Sequence, residues 1–364
     1  MQIRRTIAAA CLSALLVMLS APAKAQYHIT NLVSNQVDSH APTIDPLLAN
    51  PWGLARSATS PWWLSDNDTG WSTIYTGTGT QESIKVVIPT QGNGPSSPTG
   101  LNGPGTPTGI VYNGSSTDFQ VEGNSASFIF AALDGTISAW SPKVNKNQST
   151  IMVDNSANKA MYTGLAITSY PSGNFLYAAD NTNNHIDMFN GSYTWVKSFG
   201  DPSVPSTYSV FGVQDINGLV YVTYAVPNVG AGGYVDVFKE DGTFVKTLIQ
   251  GDILNQAWGV AAAPSNFGPL SNTLLISNNS VDGTINAFDP ATGRFVGTIR
   301  DEFGRKIVLN NLWGIAFGGG GTNNGATNEL FVTVGQGIGT AELAGTFASI
   351  VYKPLWAGAP GLVP

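Results

Sequence analysis

Asn311-Leu312-Trp313-Gly314-Ile315-Ala316 runs from a bulky aromatic to a glycine and then into an apolar strand, and the same order recurs along the chain. It is found at Trp52-Gly53-Leu54-Ala55, Phe211-Gly212-Val213 and Trp258-Gly259-Val260-Ala261. A small polar residue replaces the aromatic at Thr108-Gly109-Ile110-Val111 and Thr163-Gly164-Leu165-Ala166. Successive glycines are 56, 55, 48, 47 and 55 residues apart. A period only slightly longer than about 40–50 residues is that of a β-propeller blade with roomy loops.

Each glycine-led segment is followed by further strands. Second strands read Trp62-Trp63-Leu64-Ser65, Phe128-Ile129-Phe130-Ala131, Phe175-Leu176-Tyr177-Ala178, Val220-Tyr221-Val222-Thr223, Leu274-Leu275-Ile276-Ser277 and Leu330-Phe331-Val332-Thr333. Third strands alternate, as in His185-Ile186-Asp187-Met188-Phe189 and Tyr234-Val235-Asp236-Val237-Phe238. Alternation suits a half-buried antiparallel strand, whose neighbouring side chains face opposite ways. Turns such as Asp134-Gly135 and Asp241-Gly242 separate them, since glycine accepts the left-handed backbone of a tight turn. After Phe347–Tyr352 no fourth strand remains, whereas Tyr27–Val33 is strand-like and precedes the first glycine. The reading is therefore an all-β, six-bladed propeller whose N-terminal strand completes the last blade, which removes an unpaired seam.

The ends frame this domain. Arg4 and Arg5, the apolar run Ile7–Leu19 and Ala21-Pro22-Ala23-Lys24-Ala25 have the order of a secretory signal peptide. Residues 1–25 are expected to be a leader, 26–354 the propeller and 355–364 a Pro- and Gly-rich tail. The expected destination is the periplasm or the extracellular medium, with no integral membrane segment after leader removal. The leader carries three basic residues and no acid, so its loss moves the formal charge from −7 to −10. Such a surface repels nucleic-acid phosphate and speaks against a nucleic-acid partner. The single cysteine, Cys11, lies in the leader, which rules out thiol chemistry in the mature chain.

Leu176-Tyr177-Ala178-Ala179-Asp180-Asn181-Thr182-Asn183-Asn184-His185-Ile186 resembles the NHL-like group of propellers. Asn50-Pro51-Trp52-Gly53-Leu54-Ala55, with Asn311–Ala316, is similar to a family of uncharacterised exported bacterial proteins. The resemblance spans nearly all of the mature chain and implies the fold. It transfers no catalytic motif, and propellers serve as scaffolds, binding proteins and enzymes alike.

In a four-stranded blade the loop entering the inner strand and the loop leaving the second strand share one end. Asn50, Trp52, Trp258, Asn310 and Trp313 precede the glycines or sit beside them, while Asp66, Asp68, Asp180 and Asn278 follow second strands. All should converge on one channel mouth. Asp66, Asp68 and Asp180 could offer oxygens to calcium or another divalent cation, although Asp and Asn also satisfy turn amides in a repeat protein. Asn50, Trp52, Trp258, Asn278, Asn310 and Trp313 could stack on and orient a small molecule or carbohydrate; the rings could equally fill space between blades. Asp66, Asp180 or His185 could activate water as a catalytic group. His40 and His28 offer less, and three scattered histidines do not make a zinc cluster. Serine-elbow, phosphate-loop and H-E-x-x-H motifs are absent from the sequence. The favoured reading is an exported binding propeller. A metal-dependent hydrolase or lyase and a protein-interaction scaffold with an unknown protein partner stand as alternatives, so whether the chain is an enzyme is left open.

Overall fold

The computed structural model describes residues 27–90, 105–170, 173–226, 230–335 and 344–354. The leader 1–25 and the tail 355–364 lie outside them. The alternating runs form six antiparallel four-stranded blades. Blade 1 contains Pro51–Ala55, Trp62–Asp66, Trp71–Tyr75 and Val86–Val87; blade 2 contains Pro107–Tyr112, Phe128–Ala132, Thr136–Trp140 and Thr150–Asp154. Blade 3 runs through Tyr162–Tyr170, Gly173–Asp180, His185–Asn190 and Trp195–Phe199. Blade 4 runs through Ser209–Ile216, Leu219–Ala225, Tyr234–Lys239 and Phe244–Gln250. Blade 5 is built from Ala257–Ala262, Leu274–Asn278, Ile285–Phe288 and Phe295–Thr298.

Blade 6 joins the two ends of the chain. Its inner strands are Leu312–Phe317, Glu329–Val334 and Thr346–Tyr352, and Tyr27–Ser34 pairs antiparallel with the last of these. Thr43–Ile44 adds a short parallel edge. The closure is fastened by Tyr27, whose buried hydroxyl donates to Phe267 O at 2.8 Å and accepts from Leu270 N–H at 3.3 Å.

The repeated glycine is explained at the axis. Every inner strand slips register with its second strand near that glycine, so each blade carries a bulge there. The bulge presses the glycine onto the next blade's inner strand. A Cβ on Gly212 would lie 2.1 Å from Trp258 O, and one on Gly109 2.2 Å from Leu165 N. Only a residue without a side chain allows that approach.

A bulge also leaves backbone groups out of the ladder, and these need other partners. In blades 5 and 6 a second-strand hydroxyl supplies them. Ser277 Oγ accepts from Gly259 N–H at 2.8 Å and donates to Trp313 O of blade 6 at 2.6 Å. Thr333 Oγ1 accepts from Gly314 N–H at 2.8 Å and donates to Trp52 O of blade 1 at 2.6 Å. Thr223 likewise accepts from Gly212 N–H. Blades 2 and 3 carry alanine on the second strand, at Ala131 and Ala179, and there the residue before the glycine is threonine. Thr108 donates to Tyr162 O and Thr163 to Phe211 O, both at 2.7 Å. An aromatic before the glycine thus goes with a hydroxyl opposite, and a threonine with alanine.

Apolar side chains gather into one cluster at each of the six blade–blade junctions. A seventh cluster lies on the axis and consists of Trp52, Trp258 and Trp313 with Leu133 and Phe211. Among the described residues no helix is long and apolar enough to cross a membrane.

Candidate functional site

Strand register brings the two loop classes to one end: Pro51 pairs with Asp66, Tyr162 with Asp180, and Ala257 with Asn278. What stands at that end differs from an open aromatic rim. Trp52, Trp258 and Trp313 are only 7%, 9% and 3% exposed. Trp52 stacks on Trp313 with centroids 3.6 Å apart, and Trp258 meets both edge-on at 6.3 and 5.8 Å. Trp313 Nε1 donates to Asn50 Oδ1 and Trp258 Nε1 to Thr163 O. The rings therefore plug the channel. The physical reason is the glycine ring, which draws the inner strands close enough for three indoles to fill the axis.

Two of the polar residues expected beside them, Asn50 and Asn278, are tied into the scaffold, whereas the buried Asn310 Oδ1 makes no hydrogen bond among the described residues. Asn50 Nδ2 donates to Asp68 Oδ1 at 3.3 Å, and Asn278 Oδ1 accepts from Asn255 N–H at 2.9 Å. Asn310 is half-buried at the same end. Asp66 is fully buried and accepts from Thr73 N–H at 3.0 Å. Burial pushes its pKa well above the carboxylate range, an effect that Thr73 opposes and Asp45 reinforces. Asp66, Asp68 and Asp180 do not come together, because the first two belong to blade 1 and the third to blade 3. His40 is exposed at the end of a short turn, and His28 lies in the closing strand.

Among the described residues, metal-competent side chains meet in threes at Asp180, His185 and Asp187 in blade 3. His185 Nε2 is 3.1 Å from Asp187 Oδ1 and 3.8 Å from Asp180 Oδ2. The carboxylates are already well supplied with donors. Asp180 accepts from Met161 N–H, Asn183 N–H and Asn183 Nδ2. Asp187 accepts from Tyr162 OH at 2.8 Å, Asn155 Nδ2 at 3.3 Å and Ser198 Oγ at 2.5 Å. The hydrogen bond to Asp187 raises the His185 pKa, burial opposes it, and the charges of Asp187 and Asp180 reinforce it. Burial would push Asp187 up, but the bonds from His185, Ser198 and Tyr162 outweigh it and hold its pKa below the usual value.

Sequence reading singled out His185 and Asp180 but not Asp187, Asn155 or Ser198. A signal exists: a polar third-strand residue is followed 11 residues later by a hydroxyl at Ser138 and Ser149, Asp187 and Ser198, and Asp236 and Thr247, and 12 later at Asn286 and Thr298. Three of these pairs lie opposite one another across the strands.

At the opposite end the channel is open. A cavity of about 450 Å³ lies among the inner strands. Leu54, Ile110, Leu165, Val213, Val260 and Ile315, the residues following the glycines, line its wall. Trp258 reaches it from the plugged end, and Arg56, Tyr112 and Gln214 stand at the open rim. Arg56 is fixed by donating to Phe317 O and Ser57 O while it lies over the Trp62 ring.

No family model matches the chain. The Acanthamoeba polyphaga mimivirus protein R648, itself uncharacterised, is 31% identical over 307 residues, covering 80% of this chain and 73% of that protein. The chain belongs to the R648 family. A second uncharacterised mimivirus protein, R640, is 32% identical over 206 residues. That match covers 52% of this chain and only 38% of R640. The soluble aldose sugar dehydrogenase of Escherichia coli, in its apo-form, superposes with a TM-score of 0.55 at 9% identity, covering 90% of this chain and all of that one. At that identity the likeness is one of fold, which places this R648-family member among the β-propellers.

Proposed function

We propose that this chain is a ligand-binding propeller that takes a small molecule with an apolar body into the open end of its channel. One observation carries the reading: a blind-ended cavity of about 450 Å³, walled by apolar side chains and stopped by buried tryptophans. That volume falls within the roughly 300–1,000 Å³ of small-molecule sites, which are mostly apolar with a few polar groups that set orientation. Arg56, Tyr112 and Gln214 at the rim fill the orienting role. The lining contains no carboxylate or imidazole, so binding is favoured here over metal-dependent hydrolysis.

The test uses N-phenyl-1-naphthylamine, a neutral apolar fluorophore. The wild-type protein is expected to bind it saturably, and Val213→Trp, which places an indole in the channel, to abolish binding while the protein stays folded. Failure to bind the probe, or undiminished binding by the blocked variant, would sink the proposal. We also propose that the protein is exported after removal of residues 1–25, to the periplasm or beyond. An intact mass that retains the leader in the extracytoplasmic fraction would count against this.

A further inference from the structure

The flank of the propeller holds a second site of different chemistry. We propose that the cleft between blades 2 and 3 binds carbohydrate, holding a neutral sugar ring against Trp195. The cleft has a volume of about 650 Å³ and its walls include Asn155, Asn158, Asn183, His185, Trp195 and Ser198.

Trp195 is 57% exposed. Its counterparts in blades 4 and 5, Phe244 and Phe295, pack against Phe238 and Phe288 with centroids 5.5 and 5.8 Å apart. Trp195 has no such ring partner among the described residues. Its indole is nevertheless held in place, since Nε1 donates to Ser198 Oγ at 3.2 Å and Ser198 donates to Asp187. An exposed aromatic face fixed by a hydrogen bond offers a stacking platform at little conformational cost.

The polar floor suits a polyol. Asp187 spends its oxygens on Tyr162, Asn155, Ser198 and His185, all within the protein. Asn155 Oδ1 in turn accepts from Asn158 Nδ2. Along this lining the side-chain atoms without a hydrogen bond among the described residues include Asn158 Oδ1, Asn183 Oδ1 and His185 Nδ1, together with the buried Tyr193 hydroxyl. Two amide oxygens and an imidazole nitrogen match the hydroxyls of a sugar, which donate and accept in closely spaced pairs. The lining contains Asp154 and Asp187 but no lysine or arginine, which favours a neutral sugar over an acidic one. A cation is the weaker occupant, because Asp180 and Asp187 already accept from protein donors.

A related cleft between blades 4 and 5 supplies an internal comparison. It carries Thr284 and Phe295 where blade 3 has His185 and Trp195, and it is edged by Arg300 and Lys306. The sugar-binding features are therefore particular to blade 3 rather than a product of the repeat.

The experiment titrates the mature protein with cellohexaose, xylohexaose, mannohexaose, maltohexaose and chitohexaose, read by calorimetry. At least one should bind saturably. Trp195→Ala should weaken it by about tenfold or more, and the Asn158→Ala, Asn183→Ala double variant should also weaken it. Phe244→Ala, the blade 4 counterpart, should leave it unchanged. The channel-blocking Val213→Trp should also leave it unchanged, which separates this site from the axial one. No saturable binding by any of the five sugars overturns the proposal, as does binding that survives Trp195→Ala or appears only with added calcium chloride.

Discussion

Thr333→Val removes one hydroxyl from the junction of blades 6 and 1 while preserving side-chain volume, so it tests the bulge-satisfying role without opening a cavity. Thr333 is fully buried and serves two backbone groups, accepting from Gly314 N–H at 2.8 Å and donating to Trp52 O at 2.6 Å. Stranding a buried donor or acceptor costs roughly 1–3 kcal/mol each. The pair should therefore cost about 2–4 kcal/mol after modest relaxation, a large share of the ~5–15 kcal/mol typical of a domain. Ser65 occupies the matching second-strand position of blade 1, yet its buried Oγ makes no hydrogen bond. Ser65→Ala should then shift stability by about 0.5 kcal/mol or less. Urea unfolding followed by tryptophan fluorescence and far-ultraviolet circular dichroism would measure both. Hydrogen exchange should in addition show the Gly314 amide deprotected in Thr333→Val. Equal destabilisation by the two substitutions, or unchanged Gly314 exchange, would refute the assignment.

Further outcomes follow from the same geometry. Gly212→Ala places a Cβ 2.1 Å from Trp258 O and 2.9 Å from Thr223 Oγ1; it should destabilise by about 3 kcal/mol or fail to accumulate as folded protein, and a yield and melting profile equal to wild type would contradict this. Burial raises the Asp236 pKa to about 7, reinforced by neighbouring Asp201. The folded protein keeps that proton after the unfolded chain has lost it, so stability should fall as pH rises from about 4 to 7. Asp236→Asn should flatten that slope in urea melts across the range. His185 behaves through its partner: its raised pKa means its contribution is fully present below about 6.5 and is lost as pH climbs through the folded value. Nuclear magnetic resonance titration should show the imidazole pKa falling in Asp187→Asn, and an unmoved titration would break the proposed coupling.

The pairing of residues around the axis was legible in the sequence, though easily passed over. Trp52, Phe211, Trp258 and Trp313 go with Ser65, Thr223, Ser277 and Thr333, whereas Thr108 and Thr163 go with Ala131 and Ala179. A hydroxyl is thus available at every junction from one strand or the other. The site at Asp187 was harder to read. Its partners come from separated segments: Tyr162 and Ser198 from the inner and outer strands of blade 3, and Asn155 from the connection that leaves blade 2. Thr43–Ile44 and the hairpin of Gln120–Val121 with Asn124–Ser125 escaped because two-residue strands show no periodicity.

Blade number, glycine positions and closure by Tyr27–Ser34 follow from local order along the chain, because strand alternation and a repeated bulge residue are properties of short segments. Whether the tryptophans line an opening or seal it depends on the radius of the ring. That radius is set by backbone contacts between blades about 50 residues apart in sequence. Those contacts also left Asp66 in the dark, put the open cavity at the far end, and turned Trp195 outward while its counterparts found rings to rest on.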